Sequence, residues 1–287
     1  MASYVGCHVS IREGYLGAAR QAHRMGAESF QFFPKNPRSL ALKTPDWHDA
    51  AACRAYCREH GLKSIAHSAY LINMAVEEGE LQRQMVASLL GDLVIAEACG
   101  AIGVVVHFGH VSGERAQANL LQAYQNIIQC INNVLKVWEG EALLLLENQA
   151  GEGGLMGTTL EELVNIRRLC SAPERVGFCL DTCHAFASGL WTPGNTSGLL
   201  SLMAETGYGA ELKAVHVNDS VYPWSKRKDR HAAMGRGHIG QEMLGDLLRD
   251  SLFEGLPLVL ETPSEPDYGH EAQMKSLRSS LYPDAVR

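Results

Sequence analysis

Ile102-Gly-Val-Val-Val-His-Phe108 and Ala142-Leu-Leu-Leu-Leu-Glu-Asn148 are apolar runs of strand length, each ending near a group that can bind a metal or a proton. Neither alternates apolar with polar side chains. Each therefore reads as a strand covered on both faces, the mark of a parallel sheet. Working outward, six further runs share this character: Tyr4–Ser10, Ser29–Phe33, Ser64–Ser68, Val176–Thr182, Leu212–Asp219 and Leu256–Thr262. Amphipathic stretches of helical period follow them: Tyr15–Met25, Trp47–His60, Leu81–Cys99, Glu114–Trp138, Thr159–Leu169, Ser197–Glu205, Gln241–Arg249 and Glu271–Leu281. Gly26, Gly61, Gly100, Gly140 and Gly207 stand where a left-handed residue closes a helix. Strand then helix, eight times over, predicts an α/β TIM barrel, (β/α)8, in one domain spanning residues 1–287. A doubly wound open sheet is the alternative, but no Gly-x-Gly-x-x-Gly follows the first strand.

The bulk composition narrows the class. With 287 residues and 46% hydrophobic side chains, the chain can bury a large core. No apolar run approaches the ~20 residues of a membrane span, and the N-terminus lacks the basic start and apolar stretch of a signal peptide. A cytoplasmic protein without membrane partners is expected. The eight cysteines include no Cys-x-x-Cys pair, so they are read as reduced, buried thiols. A net charge of −7 argues against a generally basic nucleic-acid binder. Three divalent cations would cancel six of those seven charges, so metal could supply the attraction that lysines do not.

TIM-barrel chemistry is built where the strands end. The third to eighth runs bring His67, His107, Glu147, Asp181, His216 and Glu261 to that rim. Any one could be a satisfied core group, but six converging without a cation would be a costly crowd of desolvated groups. Asp181-Thr-Cys-His184 and Asp229-Arg-His231 extend the set to five histidines and four carboxylates. Nine donors are too many for one tetrahedral ion and suit three, if one carboxylate bridges. Mixed nitrogen and oxygen donors favour zinc and admit manganese or iron. His8 is expected behind the ligands, and His110 to face substrate or solvent. His23, His48, His60 and His270 are expected on helix surfaces.

These residues lie in motifs that resemble those of the endonuclease IV family of apurinic/apyrimidinic DNA endonucleases. The motifs are Gly6-Cys-His-Val-Ser10, Lys35-Asn36, His67-Ser-Ala-Tyr-Leu-Ile-Asn73, Leu146-Glu-Asn148 and Cys179-Leu-Asp-Thr-Cys-His-Ala-Phe-Ala187. Others are His216-Val-Asn-Asp-Ser220, Lys228-Asp-Arg-His231, Gly235-x-Gly-x-Ile-Gly240 and Leu260-Glu-Thr-Pro263. The likeness runs essentially end to end. It departs from the family pattern at His67-Ser-Ala-Tyr70, at the shortened His107-Phe-Gly-His110 and at Pro37, none of which alters a presumed ligand.

The resemblance implies a xylose-isomerase-like barrel holding three zinc ions. His67 and His107 would bind the first, and Glu147 would bridge it to the second. Asp181, His216 and Glu261 would complete the second; His184, Asp229 and His231 would bind the third. The implied reaction is hydrolysis of the phosphodiester 5′ to an abasic site in duplex DNA, leaving a 3′-hydroxyl for base excision repair. Glu147, Glu261 and Asp181 are the residues expected to serve catalysis as well as metal binding. Damaged double-stranded DNA would meet Asn36, Arg38, Tyr70 and Leu71, with Arg227 and Arg230 in the densest basic cluster, Lys226-Arg-Lys-x-Arg230. A monomer without an obligate protein partner is expected. The rival reading is a metal-dependent sugar isomerase or epimerase on the same barrel, for which Asp229 and His231 have no evident use.

Overall fold

The computed structural model of the chain describes residues 3–111 and 120–282. In chain order the strands are β1 (Tyr4–His8), β2 (Ser29–Phe32), β3 (Lys63–His67), β4 (Gly103–Val106), β5 (Leu143–Glu147), β6 (Val176–Asp181), β7 (Leu212–His216), the short β8 (Asp219–Ser220) and β9 (His231–Ala232), and β10 (Pro257–Leu260). Eight of them close a parallel barrel in the order β1-β10-β7-β6-β5-β4-β3-β2, and β8 pairs antiparallel with β9 beside it. Closure comes from β10 against β1, in the register Tyr4↔Pro257 to Cys7↔Leu260. The TIM barrel and its parallel sheet are as expected.

The apolar runs conceal a period of two. Ile65, Val105, Leu145, Cys179, Ala214 and Val259 form a separate apolar cluster that plugs the barrel. Their strand neighbours, such as Val104, Val106, Leu144, Leu146, Phe178 and Leu180, join the larger core shared with the helices. Because side chains alternate along a strand, the residue two positions beyond each plug residue also faces inward. Those residues are His67, His107, Glu147, Asp181, His216 and Glu261. The six ligand candidates therefore stand directly above the plug, at the carboxyl mouth.

The helices are α1 (Gly14–Arg24), α2 (Trp47–His60), α3 (Glu80–Cys99), α4 (Leu120–Leu135), α5 (Leu160–Leu169), α6 (Thr182–Ser188), α7 (Thr196–Thr206), α8 (Gly240–Leu248) and α9 (His270–Leu281). The helix expected over Glu114–Trp138 is seen only from Leu120, since positions 114–119 lie outside the described residues. Helix α6 is an addition to the expected set. Asp181 starts it: Oδ1 accepts from the His184 N–H at 2.8 Å, satisfying a donor of the first turn. Gly26, Gly61, Gly100 and Gly207 do adopt positive φ, from 66° to 78°, as expected of helix ends. Gly140 does not: a Cβ there would lie 2.3 Å from Cζ2 of Trp138, so it makes room for that indole.

All eight cysteines are buried and free. His48 and His60 are exposed as expected, but His23 and His270 are only half-exposed. His23 Nδ1 meets the Tyr56 hydroxyl at 2.8 Å, and His270 Nε2 donates to the Thr262 carbonyl at 2.8 Å, so both tie helices to their surroundings. Among the described residues no helix is long and apolar enough to cross a membrane.

Candidate metal centre

All nine sequence-predicted ligands meet at the carboxyl mouth. Their donor atoms form the groups His67/His107/Glu147, Glu147/Asp181/His216/Glu261 and His184/Asp229/His231, each with its atoms within 4.8 Å of one another. Glu147 belongs to two groups and is fully buried. Its Oε2 is 2.7 Å from His107 Nε2 and 3.5 Å from His67 Nε2, while Oε1 is 2.9 Å from His216 Nδ1. Asp229 Oδ1 lies 3.2 Å from both His184 Nε2 and His231 Nε2.

The spare ring nitrogens have other partners. His67 Nδ1 donates to the Ser68 carbonyl at 2.9 Å, and His184 Nδ1 donates to the Asn148 carbonyl at 2.9 Å. His216 Nε2 donates to the Gln31 side-chain carbonyl at 2.8 Å, leaving Nδ1 toward Glu147 and Glu261. A histidine held this way presents a fixed lone pair to a cation. Three buried atoms, Glu147 Oε2, His184 Nε2 and His231 Nε2, have no partner in hydrogen-bonding alignment. Buried polar atoms are rarely left so. Each faces other ligand atoms, an arrangement that needs a proton or a cation between them. The residues therefore fit divalent metal.

The electrostatics agree. Burial would raise the Glu147 carboxyl, but His107 and His216 outweigh it and hold the group well below the usual range. Burial is likewise outweighed at Glu261, where His216 is the largest opposing influence and brings the carboxyl to about 2. His231 is depressed by burial yet lifted to about 9 by Asp181 and Asp229, and Asp181 and Asp229 overcome burial to raise His184 well above its ordinary value. Without metal, protons would have to occupy this cage.

Cys183 joins one further group, with Asp181 and His231. Burial pushes its thiol up, with Asp181 adding to the effect, and Sγ donates to the Arg230 carbonyl at 3.7 Å. A buried thiol of that kind is a poor ligand beside carboxylates and imidazoles.

Sequence reasoning missed the amides that orient the ligands. Gln31 Nε2 donates to Glu261 Oε1 at 2.5 Å and reaches His8 Nδ1 at 3.2 Å. Asn218 Nδ2 donates to Asp181 Oδ2 at 2.6 Å, and its Oδ1 accepts from the Glu261 N–H at 2.9 Å. Asn148 brackets the Asp181 backbone from both sides, at 3.0 and 2.7 Å. The visible signal for Gln31 is a lone amide within the apolar strand Phe30-Gln-Phe32. His8 sits behind the cage, as expected. It is depressed by burial to about 4, against an opposing pull from Glu261, an acidic neighbour that sequence proximity does not reveal.

The remaining site residues surround the mouth. Asn36, Arg38, Tyr70 and Leu71 are exposed, Tyr70 at 65% and Leu71 at 51%. The Tyr70 ring is 5.1 Å from that of Phe33, edge-on, and its N–H donates to the Pro37 carbonyl at 2.9 Å, tying the loops after β2 and β3 together. Lys35 anchors the first of these loops. It is buried, its Nζ donates to the Ser88 carbonyl at 3.1 Å, and it pairs with the buried Asp92 on α3. Burial lifts the Asp92 carboxyl to about 6 against the pull of Lys35.

Arg227 and Ser225 hold φ of 53° and 60°. Their N–H groups donate to the carbonyls of Ala187 and Phe186 at 2.9 and 3.1 Å, which offsets a conformation L-residues avoid. Two members of the basic cluster have an acidic partner. Lys228 and Arg230 already pair with Glu152, at 3.0 and 3.3 Å. The folded loops bring in an acid 76 positions away from Lys228, which the local run of charge does not show.

The family model for xylose isomerase-like TIM barrels matches residues 19–280. The chain is 45% identical to probable endonuclease 4 of Symbiobacterium thermophilum over 271 residues, covering 93% of this chain and 96% of that protein. It is 37% identical to probable endonuclease 4 of Heliobacterium modesticaldum over 276 residues, covering 95% and 98%. Among solved structures it resembles endonuclease IV from Thermus thermophilus, with a TM-score of 0.84 at 32% identity over 98% of this chain and 100% of that one. A D-tagatose 3-epimerase-like protein superposes with a TM-score of 0.73 at 16% identity over 98% and 100%, a likeness of fold alone.

Proposed function

The chain belongs to the endonuclease IV family of apurinic/apyrimidinic DNA endonucleases, and from that premise we propose how its residues divide the work of a metal-dependent hydrolase. The reaction is cleavage of the phosphodiester 5′ to an abasic site in duplex DNA, leaving a 3′-hydroxyl for base excision repair. One observation carries the assignment of roles: three donor groups, two of them sharing Glu147, converge on the mouth, and three of their buried atoms face only other ligand atoms. A sugar isomerase would have no evident use for the group His184/Asp229/His231.

His67, His107 and Glu147 would hold one cation, and Glu147, Asp181, His216 and Glu261 a second. His184, Asp229 and His231 would hold the third. The imidazole and carboxylate donors favour zinc, with manganese or iron as alternatives. When bound, such ions supply Lewis acidity, lowering the pKa of water toward ~7 and neutralising phosphoryl charge. The chain's own residues do the rest. Glu147, Glu261 and Asp181 would fix the cations and, as hydrogen-bond acceptors, orient the attacking water, and Gln31 and Asn218 hold Glu261 and Asp181 in place. Arg38 and Asn36, on the loop anchored by Lys35, would meet the DNA backbone, with Arg227 and Arg230 across the mouth. Tyr70 and Leu71 would enter the space that a missing base leaves, where nothing need be unstacked. The whole chain would act as one catalytic domain and as a monomer.

The test is an assay of the metal-loaded protein on an abasic duplex beside a panel of ketoses. Nicking 5′ to the abasic site, with every ketose unchanged, is the expected result; ketose turnover without nicking would overturn it. Tyr70→Ala is expected to weaken binding to the abasic duplex by about tenfold, from the ~1–3 kcal/mol of an aromatic stacking contact. Metal content should not change. Equal affinity in the variant would leave Tyr70 as rim packing on Phe33.

A further inference from the structure

The loop after β5 sends the Glu152 carboxylate across the mouth to the loop between β8 and β9. Oε1 lies 3.0 Å from Lys228 Nζ, and Oε2 lies 3.0 Å from the Asp229 N–H and 3.3 Å from Arg230 Nη1. An ammonium, a guanidinium and a backbone N–H converging on one oxyanion make the donor set that binds a phosphate. The contact borders a cavity of about 240 Å³ whose walls include His107, His184 and Asp229, so it opens onto the metal centre. The two loops approach closely: a Cβ on Gly151, at φ +84°, would lie 3.3 Å from Arg227 Cγ.

We propose that Glu152 is a specificity-determining residue, an internal stand-in for a DNA phosphate that keeps Lys228 and Arg230 occupied until substrate displaces it. The inference rests on the DNA-cleaving reading above. Magnitudes support displacement rather than a permanent lock. The three side chains are 33%, 49% and 61% exposed, and partly exposed ion pairs contribute only ~0–1 kcal/mol each. A regular duplex, offering backbone alone, would have to give up part of its phosphate attraction to expel the carboxylate, and so leaves Lys228 and Arg230 paired with it. An abasic duplex also engages the metal centre and has that binding energy in addition. Glu152 thus weakens binding to undamaged DNA more than it weakens productive binding.

The test is Glu152→Gln in the metal-loaded protein, whose amide oxygen can still accept from the Asp229 N–H. Binding to an undamaged duplex is measured across a salt series. With two cations released, the slope of log affinity against log salt should steepen by about 1–2, since each phosphate neutralised contributes ~0.9. Affinity at low salt should rise at least fivefold. Glu211→Gln is the charge-matched control. Glu211 also pairs with two cations, Arg167 at 2.9 Å and Lys213 at 3.6 Å, but just before β7 at the opposite mouth. Its slope should match that of the unaltered protein.

Lys228→Gln supplies a second measurement. It should flatten the slope by about 1 in the Glu152→Gln background and hardly at all when Glu152 is present. A Glu152→Gln slope equal to that of the Glu211→Gln control would overturn the proposal, as would an equal effect of Lys228→Gln in both backgrounds. Cleavage of the abasic duplex by the unaltered protein reports on the enzyme reading separately. If that cleavage stands while the slopes do not move, only the role of Glu152 falls.

Discussion

Glu261→Gln is expected to lower kcat/KM on an abasic duplex by at least ~10³-fold, about 4 kcal/mol of transition-state stabilisation. The substitution keeps the shape of the side chain and removes its charge. Glu261 Oε2 lies 3.1 Å from His216 Nδ1 and 3.3 Å from Asn218 Nδ2, while Oε1 accepts from Gln31 Nε2 at 2.5 Å. An amide can satisfy Gln31 with its oxygen, but its NH2 would then face His216 and Asn218, where a cation needs an anionic donor. The barrel should survive, because the side chain is 17% exposed and its methylenes are unchanged. Steady-state kinetics, elemental analysis and a thermal melt would together check this. Activity within tenfold of the unaltered protein, at full metal content, would remove Glu261 from the centre.

Stripping the metals is the second large effect. Without cations, four carboxylates and five imidazoles share one cage, and three of their buried atoms face only other ligand atoms. A ligand held at a thousandfold its dissociation constant contributes ~4 kcal/mol to folding stability. A chain of this size loses ~2–4 °C of Tm for each kcal/mol. Exhaustive chelation should therefore abolish cleavage and lower Tm by at least ~8 °C, with recovery on adding zinc. Re-addition should also release protons near neutral pH. His231 titrates at about 9 in the empty cage, so it is protonated below that value and must give up its proton to bind a cation. Affinity for metal accordingly falls as pH falls. An unchanged Tm in protein shown by elemental analysis to be metal-free would contradict this account.

The ligands are readable in the sequence because strand geometry is a strict code. His67, His107, Glu147, Asp181, His216 and Glu261 each stand two positions past an apolar residue on a parallel strand, and inward facing follows from that spacing alone. The third group is readable for a different reason: Asp229 and His231 alternate along one extended segment, and Asp181 and His184 share one helical turn. What holds these groups is not readable. Gln31 and His216 are 185 positions apart and meet only through the barrel's closure. Glu152 sits in a glycine-rich loop whose path follows no periodicity, so its arrival at Lys228 depends on positive φ at Gly151 and Gly153. Helix α6 is hidden because Asp181 reads first as a ligand. One of its oxygens caps a helix while the other faces the cage.

The stacking of the nine-donor cage on the plug of Ile65, Val105, Leu145, Cys179, Ala214 and Val259 makes the girth of the barrel and the bite of the ligands a single variable. A methyl group gained or lost in that greasy floor would shift the strands carrying the donors by fractions of an ångström. Such shifts are comparable to the differences in preferred bond length among divalent ions. Selectivity for one metal over another is in this sense written partly in hydrocarbon, a layer below any atom that could touch it.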